Sequence, residues 1–180
     1  QQLSKLETIT LGGGCFWCLE AAFLRLPGVL SVEPGYCGGH VVDPNYEAVC
    51  SGKTGHAEVV RIQFDPERIS YETLLAVFFA AHDPTTLNRQ GNDVGTQYRS
   101  VIFVDTPEQK VLARRACDAA ATTWGAAVVT EVLPMAPFYP AEPYHHRYFE
   151  RNPGQGYCAF VIAPKLRHLA GKFPDLLSTP

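Results

Sequence analysis

The sequence predicts an α+β fold, a two-layer sandwich of split βαβ (ferredoxin-like) type in which helices cover one face of a mixed sheet. Three observations predict it. Predicted strands and helices alternate along the chain. Apolar residues make up 46% and charged residues 18% of 180 residues, an ordinary globular mixture. We find no repeat, low-complexity segment or linker, so we expect one domain over residues 1–180, as the length suggests.

The first half of the chain follows from alternation and helical spacing. Pro27-Gly28 stops the first predicted helix, and Ser70 is a plausible N-cap for the second. Apolar residues spaced at four support the first helix, and period-two alternation supports the strands. The predicted strands are residues 7–11, 29–36 and 57–64, and the predicted helices are residues 15–26 and 71–81.

The second half contains more irregular sequence. We predict strands at residues 99–104 and 128–133, a helix over 107–124 with proline in its first turn, and a short helix around 144–151. The Pro- and aromatic-rich remainder predicts an irregular C-terminal extension, within which residues 165–172 read as a solvated helix face. Compact domains rarely carry long loops without a function. We therefore expect the loops 38–55, 83–97 and 135–144 to converge on one site.

Charge and hydropathy exclude several classes of function. The net charge of -3 gives no electrostatic reason to expect a nucleic-acid partner. No apolar run approaches the ~20 residues that span a bilayer. The first ten residues lack a signal pattern, so we expect a cytoplasmic protein, although a cleaved leader would leave no trace in a mature chain. Four histidines could suggest a metal site, namely His56, His82, His145 and His146, but their spacings form no compact ligand set with the cysteines. We therefore expect no metal, and we expect no other cofactor.

The six cysteines do not indicate a disulfide framework, because this chain is larger and richer in apolar residues than small secreted scaffolds. Cys117 lies in an Ala-rich predicted helix, where we expect a small buried apolar filler. Cys15 and Cys18 instead form a C-x-x-C directly after three glycines. Of the cysteine pairs, this one has a setting that suggests chemistry.

The glycines bring Cys15 to the first turn of a predicted helix. Free N–H groups and the positive end of the helix dipole stabilise a thiolate, so we expect a lowered pKa for Cys15. Phe16 and Trp17 would form a partly exposed apolar wall beside it. The alternative is a structural thiol whose aromatic neighbours face the core.

The residues around this cysteine resemble the A-type peptide methionine sulfoxide reductases. Matching segments occur in the family's order over nearly the whole chain: GCFWCLE at 14–20, YCGG at 36–39, PNYEAVC at 44–50, GHAEV at 55–59, HDPTT at 82–86, NRQGND at 88–93, QYRS at 97–100, AEPYH at 141–145 and GYC at 156–158. Two positions depart from the pattern. Cys18 stands where glycine is common and Cys37 where a small residue is usual, so we expect extra thiols near the site.

The resemblance implies the roles that sulfoxide reduction requires. By the resemblance, Cys15 is the nucleophile, and Glu58, Tyr46 and Tyr98 meet the sulfoxide oxygen as proton donors. Phe16 and Trp17 enclose the methyl group, and Asp93 and His145 make further substrate contacts. A carboxyl beside an apolar wall has a raised pKa and can act as a general acid. Without the resemblance, Glu58 reads as a surface carboxylate, the tyrosines as packing and Asp93 as an Asx turn.

The resemblance further implies that Cys15 becomes a sulfenic acid, with which a second thiol must condense. Cys158 is favoured as the family's mobile recycling cysteine. Cys18 is the runner-up because it lies one helical turn from Cys15, and Cys37 and Cys50 remain open. The family acts on the S epimer of methionine sulfoxide, free or in proteins, serves protein repair under oxidative stress and is recycled by thioredoxin. We expect a monomer.

Two other functions compete with this prediction. A disulfide oxidoreductase would use Cys15 and Cys18 directly, and a thiol-rich sensor or binding module would turn over no sulfoxide.

Overall fold

A computed structural model describes residues 5–177 and contains eight strands and six α-helices in that part of the chain. The strands are β1 (Glu7–Gly12), β2 (Val29–Cys37), β3 (Ala57–Phe64), β4 (Arg89–Gln90), β5 (Asp93–Val94), β6 (Val101–Val104), β7 (Glu131–Pro134) and β8 (Phe138–Pro140). The α-helices are α1 (Phe16–Phe23), α2 (Tyr46–Cys50), α3 (Tyr71–Ala81), α4 (Pro107–Trp124), α5 (Tyr148–Arg151) and α6 (Ala163–Lys172). Short 3₁₀ turns occur at Thr96–Tyr98 and Pro143–His145, and a π-helical turn, Cys158–Ile162, precedes α6.

Six strands form one mixed sheet in the order β7-β6-β1-β3-β2-β8. β1 pairs antiparallel with β3 and β6, and β2 pairs antiparallel with β3 and β8. β6 and β7 are parallel, because α4 carries the chain back across the sheet between them. β4 and β5 form a separate hairpin. The α+β fold with a mixed sheet is therefore confirmed.

The main core lies between the helices and one face of the sheet. Successive residues of a strand point to opposite faces. In β3 this places Glu58 on the same face as Val60 and Ile62, which belong to the main core. The opposite face carries a smaller apolar cluster: Cys37, Ala57, Val59, Val101 and Phe103. The alternation thus directs the Glu58 carboxyl, at the start of β3, toward the helices.

Short elements that depend on tertiary contacts were not predicted. α2 begins after Asn45, whose side chain accepts the Ala48 backbone N–H at 2.8 Å. β8 pairs with the end of β2, with Tyr139 opposite Tyr36. The longer elements are confirmed, with end points that differ by a few residues.

The expected irregular C-terminal extension is wrong for residues 158–172, where the π-helical turn leads directly into α6, and the helix expected over residues 165–172 is confirmed. Pro164 lies in the first turn of α6, a position that tolerates a missing N–H. Cys117 lies in α4 as predicted but is only half-buried, because the outer side of this helix is open to solvent. Among residues 5–177, no helix combines the length and hydropathy needed to cross a membrane.

Candidate active site

A glycine turn carries the chain from β1 to Cys15. Gly14 has φ +85°, a conformation that side chains rarely adopt. A Cβ on Gly13 would lie 2.9 Å from the His82 ring. That ring is fixed by contacts of 2.6 Å to the Phe78 carbonyl and 2.7 Å to the Ser100 hydroxyl. The turn therefore has room for glycine alone and places Cys15, 7% exposed, as the N-cap of α1.

Ionisation of the two thiols in this turn differs from the expectation. Burial and a hydrogen bond with Cys18 raise the pKa of Cys15 well above its usual range. The hydrogen bond with Cys15 lowers the pKa of Cys18 to about 7, against burial and with help from the Lys165 ammonium. The predicted lowering of the Cys15 pKa is wrong, because desolvation outweighs the helix start. The Cys15 S–H therefore donates to Cys18, and of the two thiols Cys18 is the one that ionises more readily.

Glu58 is a protonated carboxyl at neutral pH. It is 1% exposed, and its Oε1 accepts the Phe16 backbone N–H at 3.1 Å. Its Oε2 is buried without a hydrogen-bond partner among the described residues. Desolvation raises the pKa of Glu58 to about 8, even though the Phe16 N–H favours the charged form. The raised pKa that we predicted for this carboxyl is confirmed, and Oε2 is free to face a ligand.

Two phenols share this end of the site with Glu58. Burial raises the pKa of both Tyr46 and Tyr98, so both stay neutral donors. The Cys50 thiol hydrogen-bonds with both phenols. The structure therefore brings together the carboxyl and the two tyrosines that the resemblance grouped.

Glu142 is a supporting residue that the sequence analysis did not single out. Its Oε1 accepts the Tyr36 hydroxyl and its Oε2 accepts the Tyr46 backbone N–H, both at 2.8 Å. Although desolvation acts in the opposite direction, these hydrogen bonds lower the pKa of Glu142, which keeps it charged. The carboxylate thereby fixes the start of α2, and the sequence signal for it was its place in the AEPYH segment.

Aromatic rings surround the first turn of α1. Phe16 is fully buried against Tyr36, Tyr46 and His145, so its expected partial exposure is wrong. Trp17 is half-buried, and its ring stacks on Tyr148 with centroids 3.8 Å apart. Trp17 therefore forms the accessible part of the apolar wall, because the loops that follow β2 and β8 cover Phe16.

His145 orients Trp17 from the interior of the site. The indole N–H donates to His145 Nδ1 at 3.0 Å. Burial lowers the pKa of His145 to about 4, so the ring is neutral with its hydrogen on Nε2. This Nε2 has no hydrogen-bond partner among residues 5–177.

Asp93 and Tyr157 form the other side of the site. The Tyr157 hydroxyl donates to Asp93 Oδ2 at 2.7 Å. The Tyr157 hydroxyl oxygen also lies 3.8 Å from the Cys18 sulfur. Cys15, Asp93, Tyr157 and Lys165 line an open cleft of about 720 Å³. We did not predict Tyr157, although it directly precedes Cys158 in the GYC segment.

The remaining cysteines fall in different places. Cys158 is fully buried in the π-helical turn, and its backbone N–H donates to Gln155 at 3.1 Å. Burial and the charge of Cys18 raise the pKa of Cys158, so these two thiols interact. Cys37 lies on the opposite face of the sheet, where burial raises its pKa to about 11. The expected extra thiol near the site is therefore confirmed for Cys18 and wrong for Cys37.

Comparison with known proteins agrees with this geometry. A family profile described as "Peptide methionine sulfoxide reductase" matches residues 7–176. The chain belongs to this family of enzymes. The peptide methionine sulfoxide reductase MsrA of Trichodesmium erythraeum is 54% identical over 96% of this chain and 99% of that protein. MsrA of Sulfolobus acidocaldarius is 53% identical over 96% of this chain and 98% of that protein.

Solved structures share the fold. Reduced Mxr1 from Saccharomyces cerevisiae superposes with a TM-score of 0.81 and 34% identity, covering 86% of this chain and 90% of that one. Methionine sulfoxide reductase A of Corynebacterium diphtheriae gives a TM-score of 0.77 and 36% identity, covering 86% and 78%. Mxr1 in complex with Trx2 matches in fold, with a TM-score of 0.58 and 23% identity over 80% and 85%.

Proposed function

We propose that this chain reduces methionine S-sulfoxide, free or in proteins, to methionine, with Cys15 as nucleophile and thioredoxin as reductant. Such an activity would serve protein repair under oxidative stress. One observation carries the proposal. The buried Glu58 carboxyl, protonated near pH 7 and with Oε2 unpartnered among residues 5–177, shares its site with Cys15 and two neutral phenols.

The first step is attack of the Cys15 sulfur on the electrophilic sulfur of the sulfoxide. The Cys15 proton moves to Cys18, its hydrogen-bond acceptor. Glu58 donates a proton to the sulfoxide oxygen as a general acid, and Tyr46 and Tyr98 stabilise the charge that grows there. The S–O bond of the sulfoxide then breaks, and the oxygen, which now carries the Glu58 proton, forms an S–O bond with the Cys15 sulfur. The substrate gains two electrons and leaves as methionine, while Cys15 loses two electrons and is left as a sulfenic acid.

Trp17 is proposed to enclose the methyl group of the substrate. Its ring is held on both sides, by stacking on Tyr148 and by its hydrogen bond to His145. Phe16 supports this wall from the interior. A rigid apolar wall beside a polar oxygen site distinguishes the two ends of the substrate.

Recycling requires a second thiol and an external dithiol protein. We assign Cys158 the exchange with thioredoxin. Phe160, two residues further along, is 84% exposed and offers an apolar contact for a partner. The yeast relative Mxr1, solved in complex with Trx2, supports thioredoxin as the class of reductant.

We also propose that the fold is of ferredoxin-like, split βαβ type. The order β6-β1-β3-β2, with antiparallel neighbours throughout, supports it. α1 connects β1 to β2, and α3 lies between β3 and β6, as two interleaved βαβ units require.

The proposed activity is tested by supplying each epimer of methionine sulfoxide together with a chemical dithiol. We expect methionine from the S epimer, and none from the S epimer in a Cys15→Ser variant. Equal activity in Cys15→Ser, or none in the natural chain, would refute the proposal.

A disulfide oxidoreductase is the second candidate, favoured by the Cys18 pKa of about 7 beside Cys15. The Cys18→Ser variant separates the two functions. A disulfide oxidoreductase would lose its redox activity. Our proposal predicts that one methionine per protein still forms, at a lower rate because Cys18 no longer takes up the Cys15 proton.

A further inference from the structure

A groove with an apolar floor lies between α3, α4 and α6. It has a volume of about 500 Å³, which is within the range of ligand-binding pockets in proteins. The proposed chemistry gives no role to its apolar side chains, so sulfoxide reduction at Cys15 does not account for the groove. These side chains come from α3, α4 and the residue that ends α6: Phe79, Leu112, Ala116, Ala120, Trp124 and Phe173.

The groove is continuous with the catalytic cleft. Ala80 and Trp124 line both, and the chain that follows Ala80 lines the cleft as far as Cys15. The Trp124 indole N–H donates to the Phe79 carbonyl at 3.4 Å, which holds the ring at the junction. A polypeptide that leaves the cleft beside Ala80 therefore enters the groove without leaving the protein surface.

The length of the groove suits an extended polypeptide. On α3 its lining extends from Ala80 back to Glu72, which is ~12 Å of helix at ~1.5 Å per residue. An extended chain advances ~3.3 Å per residue, so the groove is long enough for about four residues. A free amino acid bound in the cleft would leave the groove untouched.

Basic side chains accompany the route from the cleft to the groove. Lys165 and His168 line the cleft and Lys172 lines the groove, at helical spacings that place all three on one face of α6. Arg115 of α4 adds a second cation to the groove, against the single carboxylate of Glu72. Lys172 and Arg115 are exposed, and neither forms a salt bridge among residues 5–177. The rim therefore favours a segment with negative charge.

We propose that the groove binds a segment of the oxidised protein substrate, with an apolar side chain on the floor and acidic residues beside Lys172 and Arg115. The inference rests on the proposed function, because this segment neighbours the methionine sulfoxide that occupies the cleft. The groove is then a specificity site, which raises kcat/KM for polypeptides with this pattern and leaves reduction of free methionine sulfoxide unchanged.

The test compares peptides that contain one methionine S-sulfoxide, with a chemical dithiol as reductant. One set carries phenylalanine about three to seven residues before or after the methionine sulfoxide, a range set by the reach of an extended chain. A matched set carries alanine at the same place. At the best spacing we expect kcat/KM to be about tenfold higher with phenylalanine, because burial of its ring contributes at least this factor. Glutamates beside the phenylalanine should raise kcat/KM further, and lysines there should lower it.

Ala119→Glu blocks the floor from an exposed position of α4 that lines the groove. It should lower kcat/KM for the phenylalanine peptide to that of the alanine peptide and leave kcat/KM for free methionine S-sulfoxide unchanged. Thr122→Glu is the matched control, since it adds the same charge at an exposed position of α4 outside the groove. It should match the natural chain. Ala76→Glu, at an exposed groove position of α3, repeats the test should Ala119→Glu fail to fold.

Lys172→Glu tests the charge of the rim. This variant should abolish the preference for glutamates beside the phenylalanine. Arg167→Glu is the matched control, because Arg167 is an exposed cation of α6 that lines neither the groove nor the cleft. It should keep the preference of the natural chain.

Binding is also measured without chemistry, with a phenylalanine peptide in which norleucine replaces the methionine sulfoxide. The chain contains two tryptophans, and one of them is Trp124 at the junction. We expect the peptide to change tryptophan fluorescence in the natural chain and in Thr122→Glu, and we expect no change in Ala119→Glu.

Equal kcat/KM for the phenylalanine and alanine peptides at every spacing, or a full preference in both Ala119→Glu and Ala76→Glu, would overturn the inference. A raised KM for thioredoxin in Ala119→Glu with unchanged peptide kinetics would overturn it in favour of the reductant as occupant. A dimer of the natural chain that Ala119→Glu dissociates would overturn it in favour of a second copy. If the natural chain reduces neither the peptides nor free methionine S-sulfoxide, the proposed function itself fails.

Discussion

Glu58→Gln tests the acid at the oxygen end of the site. The amide has nearly the same shape as the carboxyl, and its oxygen can still accept the Phe16 N–H that Oε1 accepts at 3.1 Å. The substitution therefore removes the acidic proton while it keeps the local fold. At 1% exposure, the Glu58 side chain is shielded from bulk water as an alternative proton source.

The size of the effect follows from the ionisation of Glu58. With a pKa of about 8, about nine-tenths of the carboxyl is protonated at pH 7. Nearly every molecule can therefore use the acid, and its loss should slow methionine formation by about 10²–10⁴-fold. In the natural chain the same rate should fall as pH rises through about 8, because the acid form is lost.

The assay is rapid-quench measurement of methionine in a single turnover between pH 6 and pH 9. Single turnover isolates oxygen loss from the later thiol steps. An unchanged rate in Glu58→Gln, or a natural chain whose rate does not decline above pH 8, would refute the role of Glu58 as acid.

Three further predictions concern recycling and stability. Cys158→Ser should still give one methionine per protein, whereas steady-state turnover with thioredoxin should fail; normal turnover would exclude Cys158 from recycling. Gly13→Ala should lower the free energy of unfolding, measured with urea, by about 1–3 kcal/mol, because the added Cβ would meet the fixed His82 ring. The control is Gly171→Ala, in α6 with nothing within 4 Å, which should leave the free energy of unfolding unchanged or raise it by up to about 1 kcal/mol. Because the folded pKa of Glu58 is raised, its contribution to stability should fall as pH rises from about 4.5 to 8. Glu58→Gln should therefore gain stability over the natural chain in that window, and equal pH profiles would contradict the raised pKa.

The sequence predicts the parts of the site that depend on local pattern. Alternation in β3 places Glu58 among core-facing positions, and the glycine turn brings Cys15 to a helix start. The same alternation could have corrected one expectation. Cys37 follows Tyr36 in β2, so the two side chains point to opposite faces and Cys37 cannot join the site.

Properties that depend on tertiary packing could not be read from local sequence. The pKa of Cys15 is set by burial and by Cys18, both of which outweigh the helix start. α2 and β8 are short elements fixed by distant partners. Glu142 holds the first residue of α2, and β2 supplies the pairing of β8. A window of neighbouring residues contains none of these partners.

The central claim is that the Cys15 sulfur takes up the oxidation when methionine sulfoxide is reduced. The most direct measurement uses Cys18→Ser, which removes the nearest competing thiol, with methionine S-sulfoxide and a sulfenic acid trap. The account predicts one methionine per protein and a trapped adduct on Cys15. Methionine formed with Cys15 unmodified and the adduct on another cysteine would contradict it.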